Sequence, residues 1–222
     1  MTNLTHSYSA LKLYENCPLR YYRQRIKKDV VDKGGPASIV GDRQHKHIEV
    51  SIADDVPLPP ELSKFSPVIA TLTKKADEGW GIYPEQELAL TQWLKPTGWW
   101  DEDVWFRGKL DVLAISPCES KAVVLDWKTG KRRPDMFQLE IFAAMVFSHY
   151  KSVQKVRTSL VWLKDEAIDS LDVTREERGF IWQKILERTK RIHKSVKTDV
   201  WPAKPSGLCP YCPARNTCNY AY

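Results

Sequence analysis

The sequence predicts an α/β fold in which a mixed central sheet is flanked by helices. Three observations lead there. Helical patterns fill the first third of the chain, three strand patterns follow between residues 85 and 127, and a helix–strand–helix succession closes it. Strands enclosed in this way by amphipathic helices are the layering of an α/β domain. With 222 residues, 42% of them hydrophobic and 28% charged, the chain has the material for one sizeable core, without repeats or low-complexity segments.

Ser7 or Ser9 is placed to cap a first helix carrying Leu11, Leu13 and Tyr14, and Pro18 interrupts or restarts it directly after Cys17. The basic run RYYRQRIKK leads to the loop DKGGP. A second helix over 37–52 sets Gly41, His45, Ile48 and Glu49 along one stripe, because residues three and four apart are helical neighbours. DDVPLPP reads as a linker, and 61–79 as a third helix.

Strands are expected over 85–94, 104–115 and 121–127, the first two joined by a loop containing KPTGWWDED. In the second, Val104, Phe106, Leu110, Val112 and Ala114 share one face while Arg107, Lys109 and Asp111 share the other. In the third, Ala122, Val124, Asp126 and Lys128 point one way, and Val123, Leu125 and Trp127 the other. Asp135 caps a helix reaching about residue 150, a strand covers 156–163, and Thr174 with Glu177 forms a capping-box pattern before a long helix to about 196.

The net charge of +6 suits a polyanionic partner. No apolar run approaches the roughly 18 residues of a membrane span, and MTNLTHSYS lacks the apolar centre of a secretory leader, so the expected setting is cytoplasmic, with no membrane partner. Five cysteines in such a setting point to thiols or metal rather than disulfides.

Asp111, Asp126, Lys128 and His45 carry the chemistry as a group. Hard divalent cations need carboxylate oxygens, and an imidazole can complete the set. Pairing of the second and third strands as a meander would bring the aspartates together. A cation held there could polarise a phosphoryl oxygen and lower the pKa of water from about 15.7 toward 7. Lys128 would orient that water or offset developing negative charge. That is machinery for hydrolysing a phosphodiester. Each residue alone is more often an ordinary surface group; their joint pattern carries the reading.

GKLD at 108–111 followed by LDWK at 125–128 resembles the paired motifs of the PD-(D/E)XK nuclease superfamily, and GDRQH at 41–45 resembles the upstream Gly-x-x-x-His of its RecB-type branch. QLEIF at 138–142 is similar to the Gln-x-x-x-Tyr motif, with Phe142 in place of tyrosine. The resemblance implies a restriction-endonuclease-like core. His45, Asp111, Asp126 and the backbone carbonyl of Trp127 would hold Mg²⁺ or Mn²⁺, Asp111, Asp126 and Lys128 would be catalytic, and Gln138 would contact the site or the DNA.

CPYCPARNTC places Cys209, Cys212 and Cys218 in a Cys-x2-Cys-x5-Cys spacing, and Cys17 is available as a fourth ligand. Ligand count leaves zinc and iron–sulfur both open. In the RecB-type, AddB-type and CRISPR-associated iron–sulfur nucleases that the chain resembles, four such thiolates hold a 4Fe-4S cluster. The resemblance therefore implies one nuclease domain over 1–222, with 36–197 as its core and 1–30 plus 199–222 as a cluster-binding lobe. Cys118 is expected to have no role.

Lys131, Arg132 and Arg133 directly follow the catalytic strand and are candidate phosphate contacts. Trp99 and Trp100 are expected to pack beneath their loop. The basic residues of the last helix are spread over more than one face, as on a solvated surface. The expected function is a metal-dependent DNA exonuclease acting on ends or single strands in recombination, repair or end processing, in a free-standing copy of a kind that fits a phage source. A structure-specific endonuclease using the same site, or a non-catalytic DNA-binding assembly subunit, are the alternatives.

Overall fold

The structure, a computed structural model, describes residues 4–221. Six strands, β1 (Gly81–Thr91), β2 (Pro96–Thr97), β3 (Val104–Ile115), β4 (Lys121–Lys128), β5 (Lys155–Trp162) and β6 (Ala167–Thr174), form one sheet in the order β2-β1-β3-β4-β5-β6. Every neighbouring pair is antiparallel except β4 and β5. Parallel neighbours need a crossover, and helix α5 (Met136–His149) supplies it. Asp135 starts this helix by accepting the Phe137 N–H on its side chain at 3.1 Å. Residues 137–139 and 141–148 of α5 are all buried, as an apolar circumference requires.

Of the remaining helices, α1 is Tyr8–Asn16, α2 is Pro18–Tyr21, α3 is Pro36–Asp54, α4 is Ser66–Asp77 and α6 is Arg178–Thr198. Ile48 of α3 and Ile69 and Leu72 of α4 pack with Leu62, Phe65, Val112, Leu125, Trp127 and Val161 in one apolar cluster. Each such side chain, fully buried, is worth about 1.5–3 kcal/mol. This cluster seats α3 over the part of the sheet where the carboxylates lie.

Three expectations need correction. The helix expected over 61–79 is a 3₁₀ segment, Pro60–Phe65, followed by α4. Pro67 has no N–H to donate and is tolerated only in a first turn, so the α-helix restarts there. β1 begins at Gly81 rather than at 85 and runs through Pro84. β6 was not expected at all: its inward-facing positions include Asp169 beside Ala167, Leu171 and Val173, so its apolar alternation is weak. Pairing with β5, from Lys155↔Thr174 to Trp162↔Ala167, decides its conformation.

The described residues divide into two compact units, 4–5 with Pro36–Trp182, and His6–Gly35 with 183–221. Within the second, Ser7 caps α1 by accepting the Ala10 N–H at 3.2 Å, and Pro18 opens α2. Its early and late segments are joined by the Tyr21–Trp201 ring stack at 6.1 Å and by an Arg23 Nη1 donation to Thr217 Oγ1 at 2.7 Å.

Candidate active site

The β3–β4 ladder runs from Ile115↔Ala122 to Val112↔Leu125 and stops there. Beyond that point the Asp111 carboxylate accepts the Trp127 N–H at 2.7 Å, taking the place a backbone carbonyl would fill in a continuing ladder. The opening of the two strands thus leaves a polar fork. Lys128 O accepts from Leu163 N on the β5 side, so the groups of Trp127, one residue earlier, project toward β3.

Asp126 is buried. Its Oδ1 accepts from Gln138 Nε2 of α5 at 3.1 Å, and its Oδ2 lies 2.5 Å from Lys128 Nζ. Desolvation pushes the Asp126 carboxyl up to about 6, against the opposing pull of the Lys128 charge. His45 Nδ1 stands 3.4 Å from Asp111 Oδ2, and hydrogen bonding to that carboxylate raises the imidazole pKa despite burial.

α3 delivers His45 at close range because Gly41, one turn earlier, has no side chain: a Cβ there would stand 2.9 Å from Thr129 Oγ1. Together Gly41, His45, Glu49, Glu85, Asp111 and Thr129 line an open cleft of about 390 Å³. Glu49 is held by Lys46 at 2.8 Å.

Glu85 was not anticipated. A nitrogen of His45 and carboxylate oxygens of Glu85 and Asp111 lie within 4.8 Å of one another. Glu85 adopts φ 52°, a left-handed conformation costly for any residue with a Cβ. The β1–β3 register passes from Pro84↔Val112 to Gln86↔Leu110, so Glu85 faces Asp111 across the kink. Lys109 pairs with its carboxylate. The sequence signal was slight, one acidic residue after a proline at a strand start; strain of this kind concentrates at functional positions.

The fit to a hard divalent cation rests on this donor set, with the buried carboxylate of Asp126 beside it. One imidazole nitrogen and several carboxylate oxygens are the ligands such ions take.

A family model described as the PD-(D/E)XK nuclease superfamily matches residues 5–219. The chain belongs to the PD-(D/E)XK nuclease superfamily. No curated protein matches it in sequence. Among solved structures, it is similar to SSO0001 (16% identity, TM-score 0.51, covering 98% of this chain and 87% of that one). It is also similar to a protein from Eubacterium rectale described as a candidate exonuclease (13% identity, TM-score 0.52, covering 92% and 86%). At these identities the likeness speaks for the fold.

In this PD-(D/E)XK chain, the loop after the LDWK motif is partly committed to structure. Arg132 donates through its side chain to Asp169 at 2.9 and 2.5 Å and through its backbone N–H to Asp165 at 2.7 Å. Lys131 and Arg133 are exposed. Trp100, expected beneath its loop, is 83% exposed, and Trp99 is half-buried.

Cys17, Cys209, Cys212 and Cys218 line one cavity of about 40 Å³ in the second unit. Backbone N–H groups point at two of the sulfurs, Lys204 N to Cys17 Sγ at 3.5 Å and Ser206 N to Cys209 Sγ at 3.3 Å. No three of these sulfurs lie within 4.8 Å of one another: among the described residues the donor group of three that tight is His45, Glu85 and Asp111. Cys118 is exposed in the β3–β4 turn. No helix among the described residues is long and apolar enough to cross a membrane.

Proposed function

We propose that this nuclease is a Mg²⁺- or Mn²⁺-dependent DNA exonuclease that hydrolyses phosphodiester bonds from DNA ends or single strands, acting in the cytoplasm in recombination, repair or end processing. The observation carrying the proposal is the pairing of Lys128 with the buried Asp126, next to Asp111 at the strand fork. His45, Glu85, Asp111, Asp126 and the Trp127 carbonyl would hold the cation. When bound, it supplies Lewis acidity to the scissile phosphate and makes water a competent nucleophile near neutral pH.

The protein's own groups do the rest. Gln138 fixes Asp126 Oδ1, leaving Oδ2 turned to Lys128. Lys128, half-buried, orients the attacking water and offsets the charge that grows on the phosphate. Lys131 and Arg133 are exposed on the loop that follows and are available to neutralise flanking phosphates. The Eubacterium rectale protein described as a candidate exonuclease lends support to an end-dependent mode.

The reading includes a 4Fe-4S cluster on Cys17, Cys209, Cys212 and Cys218, in a lobe built from 1–30 and 199–222, with 36–197 as the nuclease core. Support comes from the shared cavity and the two N–H···S contacts, which suit thiolates carrying cluster charge. Tetrahedral zinc, at about 2.3 Å from each sulfur, is the alternative occupant of the same four thiolates.

Release of nucleotides from end-labelled linear DNA, with closed circular DNA alongside and Lys128→Ala as control, tests the proposal. Metal-dependent degradation of linear DNA alone, abolished in Lys128→Ala, is the expected result. Cleavage of circles would make the enzyme an endonuclease, and absence of any hydrolysis would turn the reading to a non-catalytic DNA-binding subunit.

A further inference from the structure

We infer that Trp99, Trp100 and Arg107 form a stacking platform for unpaired nucleobases, so that the substrate is presented to the active site as a single strand. The inference rests on the nuclease reading for its direction and on a separate part of the surface for its content.

Trp100 is 83% exposed, an unusual place to leave an indole face in water. It is not left there by disorder of its turn. Gly98 N donates to Asp101 Oδ2 at 2.7 Å, Thr97 Oγ1 lies 2.7 Å from that same oxygen and 2.9 Å from Asp103 Oδ1, and Asp101 N closes back on Gly98 O at 3.3 Å. The guanidinium carbon of Arg107 stands 4.7 Å from the Trp99 ring centre and 5.3 Å from that of Trp100, and Arg107 Nη1 reaches Trp99 O at 3.5 Å. Two indoles are thus positioned by one cation, with the more exposed one free to receive another flat ring.

Position gives this pair its meaning. Arg107, Lys109 and Asp111 alternate along β3 on one side, while Gly108 between them faces Met145 of α5, where a Cβ would meet the sulfur at 2.9 Å. Arg107 lies four residues from Asp111, about 13 Å along a strand. That is roughly four nucleotides at the B-form rise of 3.4 Å, fewer in an extended strand. A single strand whose phosphate sits at Asp111 therefore reaches the platform with its next bases. Away from its ends, duplex DNA offers its bases only edge-on, stacked on each other, with no face to give an indole.

The turn also carries acid, Asp101, Glu102 and Asp103. Asp101 and Asp103 are engaged by Thr97 and Gly98 inside the turn. Their charge disfavours a phosphate contact here, which is why the contact assigned is to bases.

The test uses Lys128→Ala protein without divalent metal, and reads the anisotropy of labelled oligothymidylate, alone and in competition with closed circular duplex, which has no open base-pair face, across a salt series. Adding Trp100→Ala is expected to weaken oligothymidylate binding about 5- to 100-fold. The salt slope and the duplex affinity should not change, because no phosphate contact is removed. Trp100→Phe, which keeps a ring, is expected to restore most of the affinity.

Unchanged oligothymidylate affinity in Trp100→Ala, an equal loss on the duplex, an altered salt slope, or no binding by the Lys128→Ala parent would each overturn the platform. The nuclease reading fails separately: wild-type protein that binds the oligonucleotide through Trp100 but hydrolyses nothing would sink that reading and leave this one standing.

Discussion

Lys128 Nζ lies 2.5 Å from Asp126 Oδ2 although the residues are not adjacent in sequence, because both project to the same side of β4. The pair puts a cation against a buried carboxylate whose pKa desolvation raises to about 6 even with the opposing pull of that cation. Lys128→Met should therefore lower DNA hydrolysis about 10²- to 10⁴-fold, measured on end-labelled linear DNA. The melting temperature should fall little, since Asp126 can take up a proton once its partner is gone.

Glu85 should be separable from the fold. Glu85→Gly relieves the φ 52° backbone and is expected to hold or raise stability by about 1 kcal/mol. It should still lower Mn²⁺ affinity roughly tenfold or more by removing one anionic donor, as read by calorimetric titration. Equal Mn²⁺ affinity in the variant would remove Glu85 from the metal site.

Gly41→Val should lower both stability and hydrolysis. Even a Cβ would stand 2.9 Å from Thr129 Oγ1, and the larger side chain must push α3, and His45 with it, away from Asp111. A cost of about 1–3 kcal/mol in denaturant unfolding is expected. Gly108→Ala, whose Cβ meets the flexible Met145 side chain, should cost less.

His6 makes the second unit acid-sensitive. Burial, then the neighbouring His193 and Arg25, lowers its pKa from 6.5 to about 4. The unfolded chain thus binds the proton that the folded chain refuses. Stability is full above 6.5 and declines as pH falls toward 4, by something on the order of 3 kcal/mol. Urea titrations between pH 7 and 4.5 should show the decline, and His6→Gln should flatten it.

If Cys17, Cys209, Cys212 and Cys218 hold the proposed cluster, Cys17→Ser should abolish iron and acid-labile sulfide in protein purified without oxygen and should lower the melting temperature, since such a cluster would tie together segments distant in the chain. Stoichiometric zinc without sulfide in the parent protein would replace the cluster by a structural zinc site.

Much of the scaffold was legible because its signals are local. Ser7, Asp135 and the Thr174–Glu177 capping box start helices through hydrogen bonds within a few residues. The common side of Asp126 and Lys128 follows from the two-residue period of one strand. Other features depended on which distant segment arrives alongside. β6 escaped notice because its pairing with β5, rather than its own apolar pattern, makes it a strand, and with it went the engagement of Arg132 by Asp169.

By itself the sequence determined where strands and helices could carry charge: two aspartates and a lysine at strand positions, a histidine one turn after a glycine, and three cysteines close together near the C-terminus. Only the tertiary structure decided that Glu85 joins His45 and Asp111, that the Asp111 carboxylate takes the Trp127 N–H, and that Trp100 stands in solvent beside Arg107. The reason is physical. Periodicity and capping are settled by neighbours in the chain, whereas register, strand divergence and exposure are settled by packing between residues far apart along it.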